Sequence, residues 1–266
     1  MLPLFDHARL TLGVTLAVFF ALWLLSLRLR DASIVDVWWG PGFVLIAVVS
    51  FLVTPAAPWP RRMLLTTLTA LWGIRLGLHL FVRNAGKGED VRYVRMRRRF
   101  GDRFPLVSLA TVFGLQAVLM WIVSVPVQAG QRGMTPATLG AWDAAGLLVW
   151  TIGFAFEAIG DRQLARFKAD PGNAGRVMDR GLWRYTRHPN YFGDACVWWG
   201  LWLIACATPR GWHSITGPIV MTILLRRVSG VPLLERGMAK RRPGYAAYVA
   251  RTSPFVPWFP RRDGVA

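Results

Sequence analysis

Residues 10–27 read LTLGVTLAVFFALWLLSL, a stretch without a charged side chain. A helix needs about 20 mostly apolar residues to cross the hydrocarbon core of a bilayer, and this stretch with its flanks meets that length. Further apolar stretches of similar length follow. They predict an all-α integral membrane protein with seven transmembrane helices, at about residues 8–28, 34–54, 61–82, 104–128, 139–161, 190–209 and 211–230.

The composition supports a membrane protein and argues against other classes. Hydrophobic residues make up 54% of the 266 residues and charged residues only 17%, whereas soluble domains have roughly 45–50% and about 25%. A net charge of +18 on a soluble protein would suggest nucleic acid as a partner. Here the basic residues lie between the apolar stretches, so we expect membrane lipids as partners and no nucleic acid.

The distribution of arginine and lysine predicts the orientation. On the side reached after the first apolar stretch, the stretch ends and the connecting segments hold 26 of these residues, and those on the opposite side hold 5. Because basic segments stay in the cytoplasm, we expect the N-terminus outside and the C-terminus inside the cell. The N-terminus lacks a basic region and a small-residue cleavage site, so we expect the first stretch to remain a spanning helix.

Ionisable groups inside apolar stretches are costly in a bilayer and are candidates for function. They are Asp36, Arg75 with His79, Glu157 with Asp161, and Asp194 with the polar Asn190, and Lys168 continues the face of Glu157 and Asp161 two turns beyond its stretch. Such groups can simply satisfy one another as polar contacts between helices. Their number near one leaflet favours a polar pocket that opens to the cytoplasm.

The densest motif lies at residues 181–194, which read GLWRYTRHPNYFGD. Pro189 suits the first turn of a helix, and the free amides at a helix N-terminus attract anions. Arginine side chains, which bind phosphate through two hydrogen bonds, stand before it at Arg176, Arg180, Arg184 and Arg187. They indicate either an anionic cofactor or contacts with anionic lipid head groups. No set of residues near His188 resembles a zinc site, so we expect no metal.

This motif resembles the signature of membrane reductases of the steroid 5α-reductase family, and more remotely that of sterol reductases and isoprenylcysteine carboxyl methyltransferases. Three other stretches resemble the bacterial branch of the 5α-reductase-like family. They are DVWWG at 36–40, GEDVRY at 88–93, and the stretch from Leu234 through Tyr245 and Tyr248 to RTSPFVP at 251–257. The four stretches together cover most of the chain in the family's order and favour the reductases over the methyltransferases.

The resemblance implies a seven-helix reductase in which NADPH lies in a cavity open to the cytoplasm of a bacterial inner membrane. Such enzymes reduce the 4,5 double bond of 3-oxo-Δ4 steroids, or of a similar enone lipid, and they use no Rossmann domain. The resemblance implies one reductase domain over residues 1–266. Its cofactor half covers about 139–266, and its substrate-side helices cover about 8–128.

The resemblance also implies the site residues. Asp36 and Tyr93 would lie near the substrate carbonyl as catalytic residues. The cofactor would be lined by Glu157, Asp161, Lys168, Arg176, Tyr185, Arg187, His188, Asn190, Asp194, Glu235 and Tyr245. Two positions depart from the animal enzymes: Val35-Asp36 stands where they carry Gln-Glu, and Glu157 stands where they carry asparagine.

Enone reduction defines what these residues have to do. Hydride adds to the β carbon, and negative charge develops on the carbonyl oxygen, where a hydrogen-bond donor in a dry site stabilises it most. Asp36 in its neutral form and Tyr93 are the candidate donors. Two other hypotheses remain: an S-adenosylmethionine-dependent methyltransferase acting on a lipidated thiol or carboxylate, and a non-catalytic lipid-binding membrane protein.

Overall fold

The computed structural model of the chain describes residues 2–228, 230, 231, 235, 238 and 242–261. Regular structure in this part of the chain is helical, without a strand, which confirms the predicted all-α class. The α-helices of these residues are α1 (Leu4–Leu29), α2 (Ile34–Leu52), α3 (Trp59–Asn84), α4 (Val91–Phe100), α5 (Phe104–Ser108), α6 (Leu115–Val123), α7 (Val125–Arg132), α8 (Ala141–Ala169), α9 (Pro189–Cys206), α10 (Thr216–Ile223) and α11 (Tyr245–Arg251).

Five helical segments of the described chain are long and apolar enough to cross a membrane. They are Leu4–Leu29, Ile34–Leu52, Trp59–Asn84, Val91–Val123 and Ala141–Ala169. Large apolar side chains along them are exposed, as on α3, where Leu78 is 60% and Phe81 is 61% exposed. Such side chains are stable where lipid replaces water. The chain is therefore an integral membrane protein with several transmembrane helices.

The helices differ from the predicted stretches at three places. The helical segment that corresponds to the stretch predicted at 104–128 begins earlier, at Val91. The arginines of α4 lower the hydropathy of this part, but arginine forms helices readily. The stretch at 190–209 corresponds to α9, which has 18 residues. The stretch at 211–230 contains a 3-10 turn (Gly211–Ile215), the short α10 and a π-helical stretch (Leu224–Val228). Neither of these last two is among the five segments above.

The chain divides into two compact units. The first unit contains residues 1–143 and 204–217, and the second contains residues 144–203 and 218–266. The helices that we expected on the substrate side lie in the first unit. Most of the expected cofactor half lies in the second.

Close packing of α2 against α3 forms the centre of the first unit. A Cβ atom at Gly73 would lie 2.5 Å from the carbonyl oxygen of Gly40, and one at Gly77 would lie 2.8 Å from the ring of Pro41. Small residues four apart allow membrane helices to approach to backbone contact. The glycines therefore hold the two helices together at the level of Gly40, one turn after Asp36.

The first unit contains a buried ion pair. The guanidinium of Arg61 donates to both carboxylate oxygens of Asp143, at 2.8 and 2.9 Å, and to the carbonyl oxygens of Pro136 and Thr138. Both side chains are at most 3% exposed. A two-pronged pair of this kind fixes the turn before α8 against the start of α3.

In the second unit, α8 and α9 also pack closely against each other at glycines. A Cβ atom at Gly153 would lie 2.6 Å from the carbonyl oxygen of Gly193. The indole N–H of Trp183 donates to the carbonyl of Gly160 on α8 at 3.0 Å. Tyr248 of α11 donates to the carbonyl of Trp183 at 2.6 Å. The motif at 181–194 is thus attached to α8 on one side and to α11 on the other.

Candidate functional site

The first unit brings Asp36 and Tyr93 together at the start of α2. The Tyr93 hydroxyl donates to Asp36 Oδ1 at 2.9 Å, and Arg92 Nη2 donates to Oδ2 at 2.5 Å. Tyr93 is buried, and the Asp36 side chain is 18% exposed. Two residues that are 57 positions apart in sequence therefore form one polar cluster on an otherwise apolar helix. We call Asp36, Arg92 and Tyr93 the acid–tyrosine cluster.

The segment before α4 positions this cluster. Asp90 caps α4, because its carboxylate accepts a hydrogen bond from the Arg92 amide at 2.8 Å. The Asp90 amide donates to Ser33 Oγ at 2.6 Å, and Glu89 accepts from the Ala32 amide at 2.8 Å. Glu89 and Asp90 thus bind the turn that begins α2, and they place Tyr93 beside Asp36.

Arg92 is shared between two carboxylates. Besides Asp36 it contacts Asp90, with Nε 3.0 Å from Asp90 Oδ1. Burial alone would raise the pKa of the Asp90 carboxyl, but the hydrogen bonds and the charge of Arg92 outweigh this effect and hold that pKa below its ordinary value. Asp90 therefore stays charged at neutral pH and keeps Arg92 oriented. Sequence reasoning named Tyr93 of this stretch and missed Asp90 and Arg92. An acidic residue directly before a helix was the available signal.

In the second unit, Arg187 and His188 meet Glu235. Glu235 Oε1 is 2.8 Å from Arg187 Nε and 2.9 Å from His188 Nε2. The neighbours Leu234 and Arg236 of the family stretch lie outside the described residues. Arg187 Nη1 donates further to the carbonyl oxygens of Val249 and Thr252. The observed partners of this guanidinium are thus protein groups, and its expected contact with a phosphate stays a prediction.

The charges around Glu235 are balanced within this group. Burial would raise the pKa of Glu235, but the hydrogen bond from His188 and the charge of Arg187 hold it below its ordinary value. Burial and the nearby Glu235 charge raise the pKa of Tyr245 to about 12, so Tyr245 lies beside this carboxylate. Four of the expected cofactor residues therefore form one connected group, which we call the Glu235 cluster: Arg187, His188, Glu235 and Tyr245.

A second polar group of this unit lies on α8 and α9. Asn190 Nδ2 donates to Asp161 Oδ1 at 3.1 Å, and Glu157 and Asp194 are buried nearby along the same two helices. Within the part of the chain that the structure describes, Asn190 Oδ1 and His188 Nδ1 are buried without a hydrogen-bond partner. A buried polar atom without a partner is costly, so these two atoms are candidates for contacts with a ligand.

The remaining expected cofactor residues are exposed. Arg176 lines a cavity of about 350 Å³ together with Phe167, Arg180 and Tyr248. Lys168 is exposed near the end of α8. Tyr185 is 38% exposed and packs edge-on against Phe259. Among the described residues, no group of three or more histidine, cysteine or acidic side chains could hold a metal ion.

The charge balance of the Glu235 cluster predicts a dependence of stability on pH. Because the pKa of Glu235 is lower in the folded chain, its contribution to stability is present above the ordinary glutamate pKa of about 4.3 and is lost as the pH falls through the folded value. The difference in thermal midpoint between the wild type and Glu235→Gln should therefore shrink from pH 7 to pH 4. The exposed Asp102→Asn is the control, with a difference that stays constant. A difference for Glu235→Gln that is independent of pH would contradict this assignment.

Comparison with known proteins identifies the family. The family described as "Protein of unknown function (DUF1295)" matches residues 22–252. An uncharacterized protein of Schizosaccharomyces pombe (strain 972 / ATCC 24843) is 24% identical over 226 residues. The match covers 77% of this chain and 64% of that relative, so the chain spans less than two thirds of the relative's length. No solved structure matches the chain. The chain belongs to the DUF1295 family, which includes membrane proteins similar to the steroid 5α-reductases.

Proposed function

We propose that the chain is an NADPH-dependent membrane oxidoreductase that reduces the carbon–carbon double bond of an enone lipid, such as the 4,5 double bond of a 3-oxo-Δ4 steroid. The observation that carries the proposal is the acid–tyrosine cluster, in which a buried tyrosine hydroxyl is held by a carboxylate at the start of a membrane helix. The family and the four sequence stretches support the same class of reaction.

The geometry of the cluster favours Tyr93 over Asp36 as the donor to the substrate carbonyl. A carboxylate that accepts hydrogen bonds from both Tyr93 and Arg92 has no proton of its own to donate. Tyr93 has one, and Asp36 fixes the direction of its hydroxyl. When the carbonyl oxygen gains charge, the Tyr93 O–H turns to it and stabilises it, and the apolar surroundings strengthen this bond. Asp36 is then a positioning residue that acts through Tyr93.

The second unit offers groups that suit the cofactor. His188 Nδ1 and Asn190 Oδ1 are buried and have no hydrogen-bond partner among the described residues, so each can bind a ligand. The guanidinium of Arg176 lies at the surface and suits a 2′-phosphate. NADPH, when bound, supplies the hydride for the β carbon. We assign its binding to the two unpartnered atoms, to Arg176 and to the rest of the expected set except Arg187. In this assignment Arg187 orients Glu235 and His188 rather than binding phosphate.

One observation favours a second candidate. Because Arg187 is engaged with Glu235, Arg176 is the expected phosphate ligand that remains. An S-adenosylmethionine-dependent methyltransferase needs no 2′-phosphate site and shares the histidine–proline–asparagine–tyrosine motif by resemblance. Binding of NADPH or of S-adenosylmethionine separates the two functions. Binding of neither would indicate a lipid-binding protein without a cofactor.

We further propose that the chain crosses the membrane seven times, with α9 and the stretch 211–230 added to the five segments. The N-terminus would face outward and the C-terminus would face the cytoplasm of a bacterial inner membrane. The support is the distribution of 26 against 5 basic residues between the two sides.

Labelling of single cysteines tests this orientation. In a background without Cys196 and Cys206, Lys87→Cys and Gly140→Cys place thiols at exposed positions. A side chain at Gly140 meets no atom within 4 Å, so this change should be tolerated. An impermeant thiol reagent added to intact cells should label position 140 and leave position 87 unlabelled until the cells are opened. Equal labelling of both positions in intact cells would contradict the orientation.

Removal of the Tyr93 hydroxyl tests the catalytic assignment. Tyr93→Phe should bind NADPH and fold as the wild type does, while kcat falls about 10²–10³-fold, the usual effect of losing one donor to a developing oxyanion. Asp36→Asn should lower kcat less, because Tyr93 keeps its hydroxyl but loses its charged acceptor. The control is Thr15→Val, which removes a buried hydroxyl bonded to the Thr11 carbonyl and should lower stability rather than kcat. Full activity of a folded Tyr93→Phe enzyme would exclude Tyr93 as the donor.

Arg176 tests the cofactor. Arg176→Ala should weaken NADPH binding about tenfold or more, since a charge-assisted contact contributes about 1.5–3 kcal/mol. Affinity for NADH should change little, because NADH lacks the 2′-phosphate. The matched control is Arg166→Ala, an exposed arginine of α8. If the wild type binds S-adenosylmethionine and not NADPH in the same titration, the methyltransferase replaces the reductase.

A further inference from the structure

A second basic cavity of the second unit adjoins the cavity that Arg176 lines, and it shares Asp179, Arg180 and Arg251 with that cavity but not Arg176 itself. Its volume is about 830 Å³, and four arginines line it, Arg180, Arg184, Arg251 and Arg261, together with Asp179. Phe259 and Pro260 complete one wall. We propose that this cavity binds the phosphate group of an anionic membrane lipid.

The charge of the cavity is largely uncompensated. Arg251 pairs with Asp179 through Nη2 and Oδ2 at 2.5 Å. Over the described residues, the guanidinium groups of Arg180, Arg184 and Arg261 have neither an ion pair nor a hydrogen bond. Guanidinium groups are charged at every physiological pH. Three forks around one cavity attract a phosphate, which can accept two hydrogen bonds from each fork.

The wall of the cavity is fixed in place by backbone contacts. The Trp258 amide donates to the Tyr185 carbonyl at 3.0 Å, and the Arg261 amide donates to the Arg251 carbonyl at 2.9 Å. The Thr186 hydroxyl donates to the Phe255 carbonyl at 2.8 Å. These bonds hold residues 255–261 against the motif segment, so the arginines from both segments face one cavity before any ligand arrives.

Exposed aromatic residues beside the arginines identify the source of the phosphate. Trp258 is 72% exposed and Phe259 is 77% exposed, next to the cavity that Phe259 lines. Tryptophan is enriched where a membrane protein crosses the lipid head groups, and basic pockets at this level bind anionic head groups. Free inorganic phosphate would need the arginines but not the two exposed apolar rings. A phospholipid uses both, with its phosphate on the arginines and its acyl chains beside the rings.

Binding of short-chain lipids to the purified full-length chain tests the proposal. Dioctanoyl phosphatidylglycerol should bind and raise the thermal midpoint in a nonionic detergent, while dioctanoyl phosphatidylcholine should have little effect. The double variant Arg184→Gln/Arg261→Gln should bind phosphatidylglycerol at least about tenfold more weakly, since it loses charge-assisted contacts. The control Arg162→Gln/Arg166→Gln removes the same charge from exposed positions of α8 outside the cavity and should bind it as the wild type does.

Each other outcome overturns the proposal. Equal binding of the two lipids by the wild type, which needs no variant to fold, would mean that charge is not recognised. Equal weakening in both double variants would indicate a general attraction to a basic surface. Inorganic phosphate that binds as tightly as phosphatidylglycerol would indicate a free phosphate as the ligand. NADPH that displaces the lipid from the wild type would assign the cavity to the cofactor.

Discussion

Inside a bilayer, a polar side chain has no water to bond to, so the protein itself has to supply its partner. This constraint explains most of what the described structure shows. Arg61 and Asp143 are almost fully buried and bind each other through two hydrogen bonds. Asp36, on an apolar helix, receives hydrogen bonds from Tyr93 and Arg92. The same constraint makes the exceptions informative, because a buried polar atom that finds no partner in the described chain, such as His188 Nδ1, is a candidate for a contact with a ligand.

The sequence predicted the helical class and five of the seven spanning stretches that the structure shows as long apolar helical segments, because hydropathy over about 20 residues depends on composition alone. It did not predict the helical continuation upstream to Val91, since the arginines of α4 hide a helix from a hydropathy average. Contacts between distant positions were also out of reach. Arg187 and Glu235 are 48 residues apart, and nothing in the spacing shows that they pair. The resemblance brought Asp36 and Tyr93 together in one expectation, but it did not show Asp90 and Glu89 fixing the turn at Ser33.

The many arginines of the chain have several roles. Arg61 and Arg187 are buried and bind carboxylates, and so they support the fold. Arg92 orients a carboxylate beside a buried tyrosine. Arg176 and Arg184 lie at the surface beside cavities. A count of basic residues is therefore better evidence for the orientation of a membrane protein than for phosphate binding. The partners of each guanidinium in the structure are what distinguish an arginine of a ligand site from one in an internal ion pair.

Transfer of an isotopic label tests the proposed reductase most directly. The purified chain in lipid nanodiscs would be given NADPH in which deuterium replaces both hydrogens at C4 of the nicotinamide, together with a panel of 3-oxo-Δ4 steroids and other enone lipids. Mass spectrometry would then identify the products. The account predicts a product with one deuterium, located on the β carbon of the former enone. NADPH that binds but transfers no deuterium to the product of any enone in the panel would contradict it.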